Sequence, residues 1–326
     1  EFYNNRADFY DEYLEDYELA LADFQTAIDL ASSEFDVKRA LNNRGLIYMD
    51  QEKYDLAISE YASLIEKYSE YVNAYNNRAL CYSYKGEYEK ALVDYTKCIE
   101  LEPNVADYYE NRADNAHIPL EDYNSALIDY SKCIELEPNN STHYNNRADF
   151  YRNYLQNDES SLTDIQSAID LSPTESNYLD RAEIYVKLEN YKKASKEISF
   201  IIKKFPKSRS VYYSRAKMYN KQGLFDKEKE DYLKSIEMDN LDPEGYYYLA
   251  KYYQRSDENL KVIFYLQKAI SKLSKETGYY ISKIDSNDSV ELKDIHIELG
   301  NIYKNLEELD LMCEEYKEAC ELGECE

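Results

Sequence analysis

A five-residue string, Tyr-Asn-Asn-Arg-Ala, stands at residues 3–7, again at 75–79 and again at 144–148. Close variants occupy 41–45, 109–113, 178–182 and 212–216. Counted from the residue three before each arginine, copies begin at Tyr3, Leu41, Tyr75, Tyr109, Tyr144, Tyr178 and Tyr212; Tyr246 and His296 continue the register without the arginine. The spacings are 38, 34, 34, 35, 34, 34, 34 and 50 residues. A period of about 34 residues limits the fold more than any composition does. A unit that short cannot bury its own apolar face, so neighbouring units have to stack.

The columns support two helices per copy. The residue after the arginine position is small in all nine copies: Ala7, Gly45, Ala79, Ala113, Ala148, Ala182, Ala216, Ala250 and Gly300. Three residues later stands Tyr10, Tyr48, Tyr82, Tyr151, Tyr185, Tyr219, Tyr253 or Tyr303, with Ala116 as the exception in copy 4. A turn follows, clearest at 85–88 (KGEY), and a second run opens on Ala20, Ala57, Ala91, Ala126, Ser161 or Ala194. Pro103, Pro138, Pro173 and Pro206 close that run, as proline does just past a helix end. Copies 1, 4 and 5 hold one extra residue, expected in the turn, and Pro119 of copy 4 is expected to start a tighter connection.

The third copy, AYNNRALCYSYKGEYEKALVDYTKCIELEPN (74–104), resembles the tetratricopeptide repeat family, and the resemblance runs over essentially the whole chain. It implies an all-α fold, a right-handed superhelical solenoid of about nine helix-turn-helix units whose first helices line a concave groove. The expected organisation is an array of repeats 1–8 over residues 1–275, an insertion loop over 276–290, and a ninth repeat-like unit with the C-terminal end over 291–326. Residues 272–290, with Gly278 and a polar run at 286–289, are expected to extend the second helix of copy 8 and then form a loop. No obvious solvating cap follows copy 9, which suggests truncation or an end covered by a partner.

A full positive charge repeated inside a packed helix needs an account. At a matched place in the second run, Arg6 is answered by Asp23, Arg44 by Glu60, Arg78 by Asp94, Arg112 by Asp129, Arg147 by Asp164, Arg181 by Glu197 and Arg215 by Asp231. The separation is 16 residues, or 17 where the extra residue is present, so the match follows helix position. Copy 8 has Leu249 and Tyr265 at these places; copy 9 has Leu299 opposite Glu315. The pattern predicts structural ion pairs between the two helices of each repeat, with the guanidinium fork on a carboxylate and its stem among apolar neighbours. The alternative is a row of arginines facing the groove to bind anions.

If the arginine turns inward, the residue before it turns about 100° toward the groove. That column reads Asn5, Asn43, Asn77, Asn111 and Asn146, then Asp180, Ser214, Tyr248 and Glu298. An asparagine amide offers both donors and an acceptor, which suits a peptide backbone. The same face carries Asp8, Asp114 and Asp149 in the first half, and Lys187, Lys217, Lys221, Lys251 and Arg255 later. The expected peptide-binding set is therefore the five asparagines with Lys217, Lys221, Lys251 and Arg255, in a groove acidic at one end and basic at the other. Family members that clamp acidic chaperone tails hold a terminal carboxylate with Lys, Asn and Arg. The matching places here hold Asn4, Asp8, Asn43, Asn73 and Asn77, so the cations are missing and that mode is disfavoured.

Charge and chemistry narrow the classes further. Net charge is −26; residues 1–175 hold 14 basic and 36 acidic residues (net −22), and residues 176–326 hold 25 and 29 (net −4). Such a surface repels phosphate backbones and anionic lipid, so nucleic acid is not an expected partner. No apolar stretch is long enough for a spanning helix, and no membrane insertion is expected. Cys81, Cys98, Cys133, Cys313, Cys320 and Cys325 form no metal-binding spacing; Cys98 and Cys133 read as small core residues, and a reducing cytoplasm fits them. His117, His143 and His296 are scattered, with no nucleophile elbow or phosphate loop, so neither catalysis, metal nor cofactor is expected. The reading is a non-catalytic protein-interaction scaffold that binds an extended peptide along its concave groove. Two alternatives stand beside it: the regulatory or targeting portion of a larger multidomain enzyme, and a self-assembling solenoid.

Overall fold

The computed structural model describes residues 1–14, 16–240, 243–273, 281–282, 289–290 and 292–322; Gly278, Cys325 and most of the polar run 286–289 lie outside them. Copy 1 folds as α1 (Phe2–Leu14) and α2 (Tyr17–Asp29), copy 2 as α3 (Glu34–Asp50) and α4 (Tyr54–Lys67), and copy 3 as α5 (Val72–Tyr84) and α6 (Tyr88–Leu101). Copy 4 is α7 (Ala106–Arg112) with α8 (Tyr123–Leu136), and copy 5 is α9 (Ser141–Asn153) with α10 (Asp158–Leu171). These five copies make one compact unit, Glu1–Ser172.

The second unit, Pro173–Glu326, holds copies 6 to 9. They are α11 (Glu175–Lys187) and α12 (Tyr191–Lys204), α13 (Ser210–Lys221) and α14 (Phe225–Met238), α15 (Pro243–Gln254) and α16 (Asn259–Lys272), and α17 (Leu292–Asn305) and α18 (Leu309–Leu322). Each unit is thus an all-α stack of helical hairpins. The small-residue columns make the stacking possible: Ala7, Ala79, Ala113, Ala148, Ala182, Ala216 and Ala250 are all fully buried, as are Ala20, Ala57, Ala91, Ala126 and Ala194. The second helix of copy 8 does not extend as the sequence suggested. It stops at Lys272 because Leu273 takes an extended conformation and turns into the core beside Leu266 and Ala269. Beyond it, Ile281–Ser282 pairs antiparallel with Ser289–Val290.

The turn inside each repeat is closed by the tyrosine carbonyl. In most copies it accepts from the N–H five residues on: Tyr48 from Lys53 and Tyr82 from Glu87 at 2.8 Å, Tyr219 from Leu224 at 2.9 Å. One residue before that donor takes positive φ, Gly86 at 74° and Gly223 at 69°, as such helix ends require. In copies 1 and 5 the bond spans six residues, Tyr10 to Asp16 and Tyr151 to Asn157, so there the extra residue does lie in the turn.

Copy 4 differs from expectation. His117 accepts from Asp122 across the ordinary five residues at 2.9 Å, and the extra residue lies inside the helix as a π turn, Ala113–His117, with Ile118 N–H donating to the Ala113 carbonyl at 2.9 Å. Pro119 is the physical reason. It has no N–H to return to Asn115, and the freed Asn115 carbonyl instead accepts the Ser83 hydroxyl of copy 3 at 2.8 Å. The bulge also shifts the register by one, so His117, not Ala116, fills the tyrosine place.

The tyrosine that opens each copy has its own task. Tyr75, Tyr109, Tyr144 and Tyr246 donate their hydroxyls to the carbonyls of Ser69, Pro103, Pro138 and Asn240, six residues earlier, and so pin the connection between repeats. Among the cysteines, Cys81, Cys98 and Cys133 are buried and free and Cys313 is exposed and free. Among the described residues no helix is long and apolar enough to cross a membrane.

Two outcomes are expected. A Cβ on Gly45 would sit 2.6 Å from Tyr61 Cζ, and Tyr61 is fully buried, so Gly45→Ala should destabilise by about 1–3 kcal/mol in urea denaturation. The same change should cost less in a Tyr61→Leu background. Burial holds the His117 imidazole below its ordinary 6.5. Its neutral form therefore favours the folded state fully above the unfolded pKa, and that contribution is lost as pH falls through the lower folded value. Melting temperature should drop more between about pH 7 and pH 5 in the wild type than in His117→Tyr, measured by circular dichroism.

Candidate protein-interaction surface

The arginine column meets the acid column inside every repeat that has both. Arg6 donates through Nε and Nη2 to the two oxygens of Asp23 at 2.5 and 2.7 Å, Arg78 to Asp94 at 2.7 and 2.8 Å, and Arg112 to Asp129 at 2.8 and 2.7 Å. Arg147 does the same to Asp164 at 2.7 and 2.8 Å, and Arg215 to Asp231 at 2.9 and 2.6 Å. Where the acid is glutamate the structure gives one bond: Arg44 Nη2 to Glu60 and Arg181 Nη2 to Glu197, each 2.7 Å. The longer side chain presents its carboxylate differently, and Arg44 Nε is left buried with no hydrogen-bond partner. Asp94, Asp129, Asp164 and Asp231 are almost wholly buried. Hydrogen bonding to them raises the pKa of Arg78, Arg112, Arg147 and Arg215 above the ordinary guanidinium value, which keeps those charges in place.

Two further contacts hold the guanidinium. Helical spacing brings the tyrosines three before and four after it onto the same face. The Arg78 head lies 5.8 and 5.9 Å from the ring centres of Tyr75 and Tyr82, and that of Arg215 5.2 and 5.9 Å from Tyr212 and Tyr219. The remaining nitrogen reaches the preceding repeat: Nη1 of Arg112 donates to Thr96 and that of Arg147 to Ser131, both at 3.1 Å, and that of Arg44 to Gln25 at 2.6 Å. Copy 8 replaces both partners. Leu249 is fully buried and Tyr265 stacks on Tyr253 with ring centres 5.5 Å apart. In copy 9 Glu315 is taken instead by His296 Nδ1 at 2.6 Å.

With the arginines turned in, the asparagines meet one another. Asn111 Nδ2 donates to Asn76 Oδ1 at 3.1 Å, Asn76 Nδ2 to Asn77 Oδ1 at 3.4 Å, and Asn77 Nδ2 to Asn42 Oδ1 at 3.0 Å. Asn42 Nδ2 donates to Asn43 Oδ1 at 3.2 Å and Asn43 Nδ2 to Asp8 Oδ1 at 2.9 Å. Arg39 closes the row, donating to Asp8 and, at 3.0 Å, to Asn5 Oδ1. Asn5 is exposed, and Asn43, Asn77, Asn111 and Asn146 are half-buried. The reading from sequence missed Asn42, Asn76 and Arg39. The double asparagine in the repeated string was the available sign of the first two.

In this unit Asp114 accepts the Tyr130 hydroxyl and Asp149 pairs with Arg152 at 2.9 Å. In the second unit two of the four expected cations, Lys251 and Arg255, have acidic partners of their own. Lys251 donates to Glu298, and Arg255 Nη2 lies 2.7 Å from Glu228 Oε2. Glu228 occupies the small-residue column of copy 7 and is 2 % exposed, so Arg255 neutralises a carboxylate that stacking has buried. Lys221 is exposed and Lys217 half-buried.

Models of the tetratricopeptide repeat match residues 11–61, 72–105, 106–140, 210–240 and 294–322, more than half of the chain. The protein belongs to the tetratricopeptide repeat family, and as a member it is a protein-interaction scaffold. No curated protein sequence matches it. Among solved structures it is similar to a tetratricopeptide repeat protein from Parabacteroides merdae, at 22 % identity over 73 % of this chain and 94 % of that one, with a TM-score of 0.50. It is also similar to yeast Tom70, at 17 % identity over 99 % of this chain and 78 % of that one (TM-score 0.60). The C-terminal part of a repeat-containing protein from Cytophaga hutchinsonii is similar at 17 % identity over 72 % and 96 % (TM-score 0.53). At these identities the likeness is one of fold.

Arg78→Leu should leave Asp94 charged and buried and cost about 3–5 kcal/mol; Arg78→Leu with Asp94→Leu should recover much of that loss. Urea denaturation of both singles and the double measures the coupling. A double variant worse than the sum of the singles would remove the pair as the reason for the arginine.

Proposed function

We propose that the first-helix face of copies 1–5 binds an extended segment of a partner protein through its backbone. The observation that supports this most is the half-used amide row. Asn43 and Asn77 each spend one N–H and accept one bond within the row, and both reach solvent. Asn43 therefore keeps a second N–H and a lone pair for a visitor, and Asn77 a lone pair. First helices stack on the order of 10 Å apart, so successive rungs meet about every third residue of an extended chain. The rungs are held by their neighbours before any ligand arrives, which lowers the ordering cost of binding. The net charge of −22 over residues 1–175 selects a segment that is neutral or basic.

The test is capture from a peptide array by wild type and by a variant with Asn43, Asn77 and Asn111 jointly changed to Ala, each first shown to be helical by circular dichroism. The variant should lose most captured sequences, and basic ones should bind best. Unchanged capture by a folded variant removes the row from the binding surface. Hydrogen exchange of the wild type with a captured peptide gives an independent reading. Protection should fall on α3, α5 and α7, and protection confined to α4, α6 and α8 would overturn the assignment.

A further inference from the structure

Copy 4 and copy 5 bring together three side chains of different donor type. Glu110 comes from α7, Cys133 from α8 and His143 from α9, and one ligand atom of each lies within 4.8 Å of the others. Cys133 is fully buried and His143 is 3 % exposed. His143 Nδ1 is 3.1 Å from Glu110 Oε2. Its other nitrogen, Nε2, is 3.1 Å from Glu137 Oε2, with Asn140 Nδ2 at 3.2 Å. Cys133 Sγ donates to the Ala106 carbonyl at 3.3 Å.

Copy 3 supplies an internal comparison. The same three columns there hold Asn76, Cys98 and Tyr108. Cys98 Sγ donates to the Val72 carbonyl at 3.7 Å, and the Tyr108 hydroxyl to Glu102 at 3.2 Å. A buried cysteine in this column is therefore packing, and an outer carboxylate is common to both copies. Copy 4 alone adds a carboxylate and an imidazole beside the thiol.

We propose that Glu110 Oε2, Cys133 Sγ and His143 Nδ1 form a three-ligand site for one zinc-class divalent cation at the junction of copies 4 and 5. The donor set of one thiolate, one imidazole and one carboxylate suits a borderline-soft metal and not magnesium or calcium. Cys133 gives its proton to solvent, and its sulfur leaves the Ala106 carbonyl for the metal. His143 binds as the neutral ring through Nδ1 and donates its Nε2 proton to Glu137, the outer carboxylate that metal-bound histidines ordinarily have. Thiolate and carboxylate together balance the charge of the dication, and water fills the fourth position. Ligands on a tetrahedral zinc stand about 3.3–3.8 Å apart. The histidine–glutamate pair is thus already near its bound separation, and the sulfur, within 4.8 Å of both, has to close by no more than about 1–1.5 Å.

The test is titration of metal-stripped protein with cobalt(II), read as the thiolate-to-cobalt charge-transfer band and competed with zinc(II). Wild type should saturate at one equivalent and melt at a higher temperature with zinc. Cys133→Ala should abolish the band, while His143→Tyr and Glu110→Asn should weaken affinity at least by the roughly tenfold that loss of even an outer partner costs. Each replacement is a residue that another copy carries in that column (Ala168, Tyr108 and Asn76), so the fold is kept. Cys98→Ala and Cys313→Ala should leave the band unchanged. No band in the wild type, or a band that survives Cys133→Ala, overturns the site.

Discussion

The guanidinium–carboxylate pair inside each hairpin sets the orientation of everything around it. Two nearly buried ions cost free energy to desolvate, and that cost is offset only when geometry and the remaining hydrogen bonds are complete. Here every aspartate copy makes two parallel bonds to the acid; Arg78 and Arg215 add ring faces on either side, and Arg112 and Arg147 add a last nitrogen on Thr96 or Ser131 of the repeat before. The arginine is therefore a three-way joint between its own two helices and the preceding unit. Copy 8 carries the apolar solution to the same problem, Leu249 with Tyr265, and copy 9, which keeps only the acid, gives Glu315 a substitute cation-type partner in His296.

Turning the arginine inward fixes where the adjacent asparagines point, and so the character of the first-helix face. That face is neither a hydrophobic trough nor a charged stripe but a line of amides held by each other. In the binding mode proposed above, such a surface reads what all extended chains share, and side-chain selection falls to the surrounding carboxylates. In the second unit the corresponding column loses its asparagines, and Lys251 and Arg255 are spent on Glu298 and Glu228, so the two units present different chemistry.

Much of this was legible in the sequence because a strict repeat converts position into register. The helix pairs, the closing prolines and the matching of each arginine to its acid follow from column counting alone. Three things did not. The π turn depends on the carbonyl that Pro119 leaves unpaired and on Ser83 of another copy being there to meet it. The partner of Glu315 proved to be His296, which sits where other copies open on tyrosine. The gathering of Glu110, Cys133 and His143 comes from three helices, and no spacing along the chain signals it. Column reading compares like with like, and each of these is a contact between unlike columns.

The amide row has a direction. Every donor in it points toward Asp8, from Asn111 through Asn76, Asn77, Asn42 and Asn43, so the dipoles add and each bond strengthens the next. The positive, donor end of the row rests on a carboxylate already clamped by Arg39, which supplies the anion that such alignment favours. Copies 1 to 4 are consequently not interchangeable beads. Copy 1 is fixed at its end because it brings Asp8, and placing it between two asparagine copies would interrupt the row, although every hairpin on its own would still be well formed.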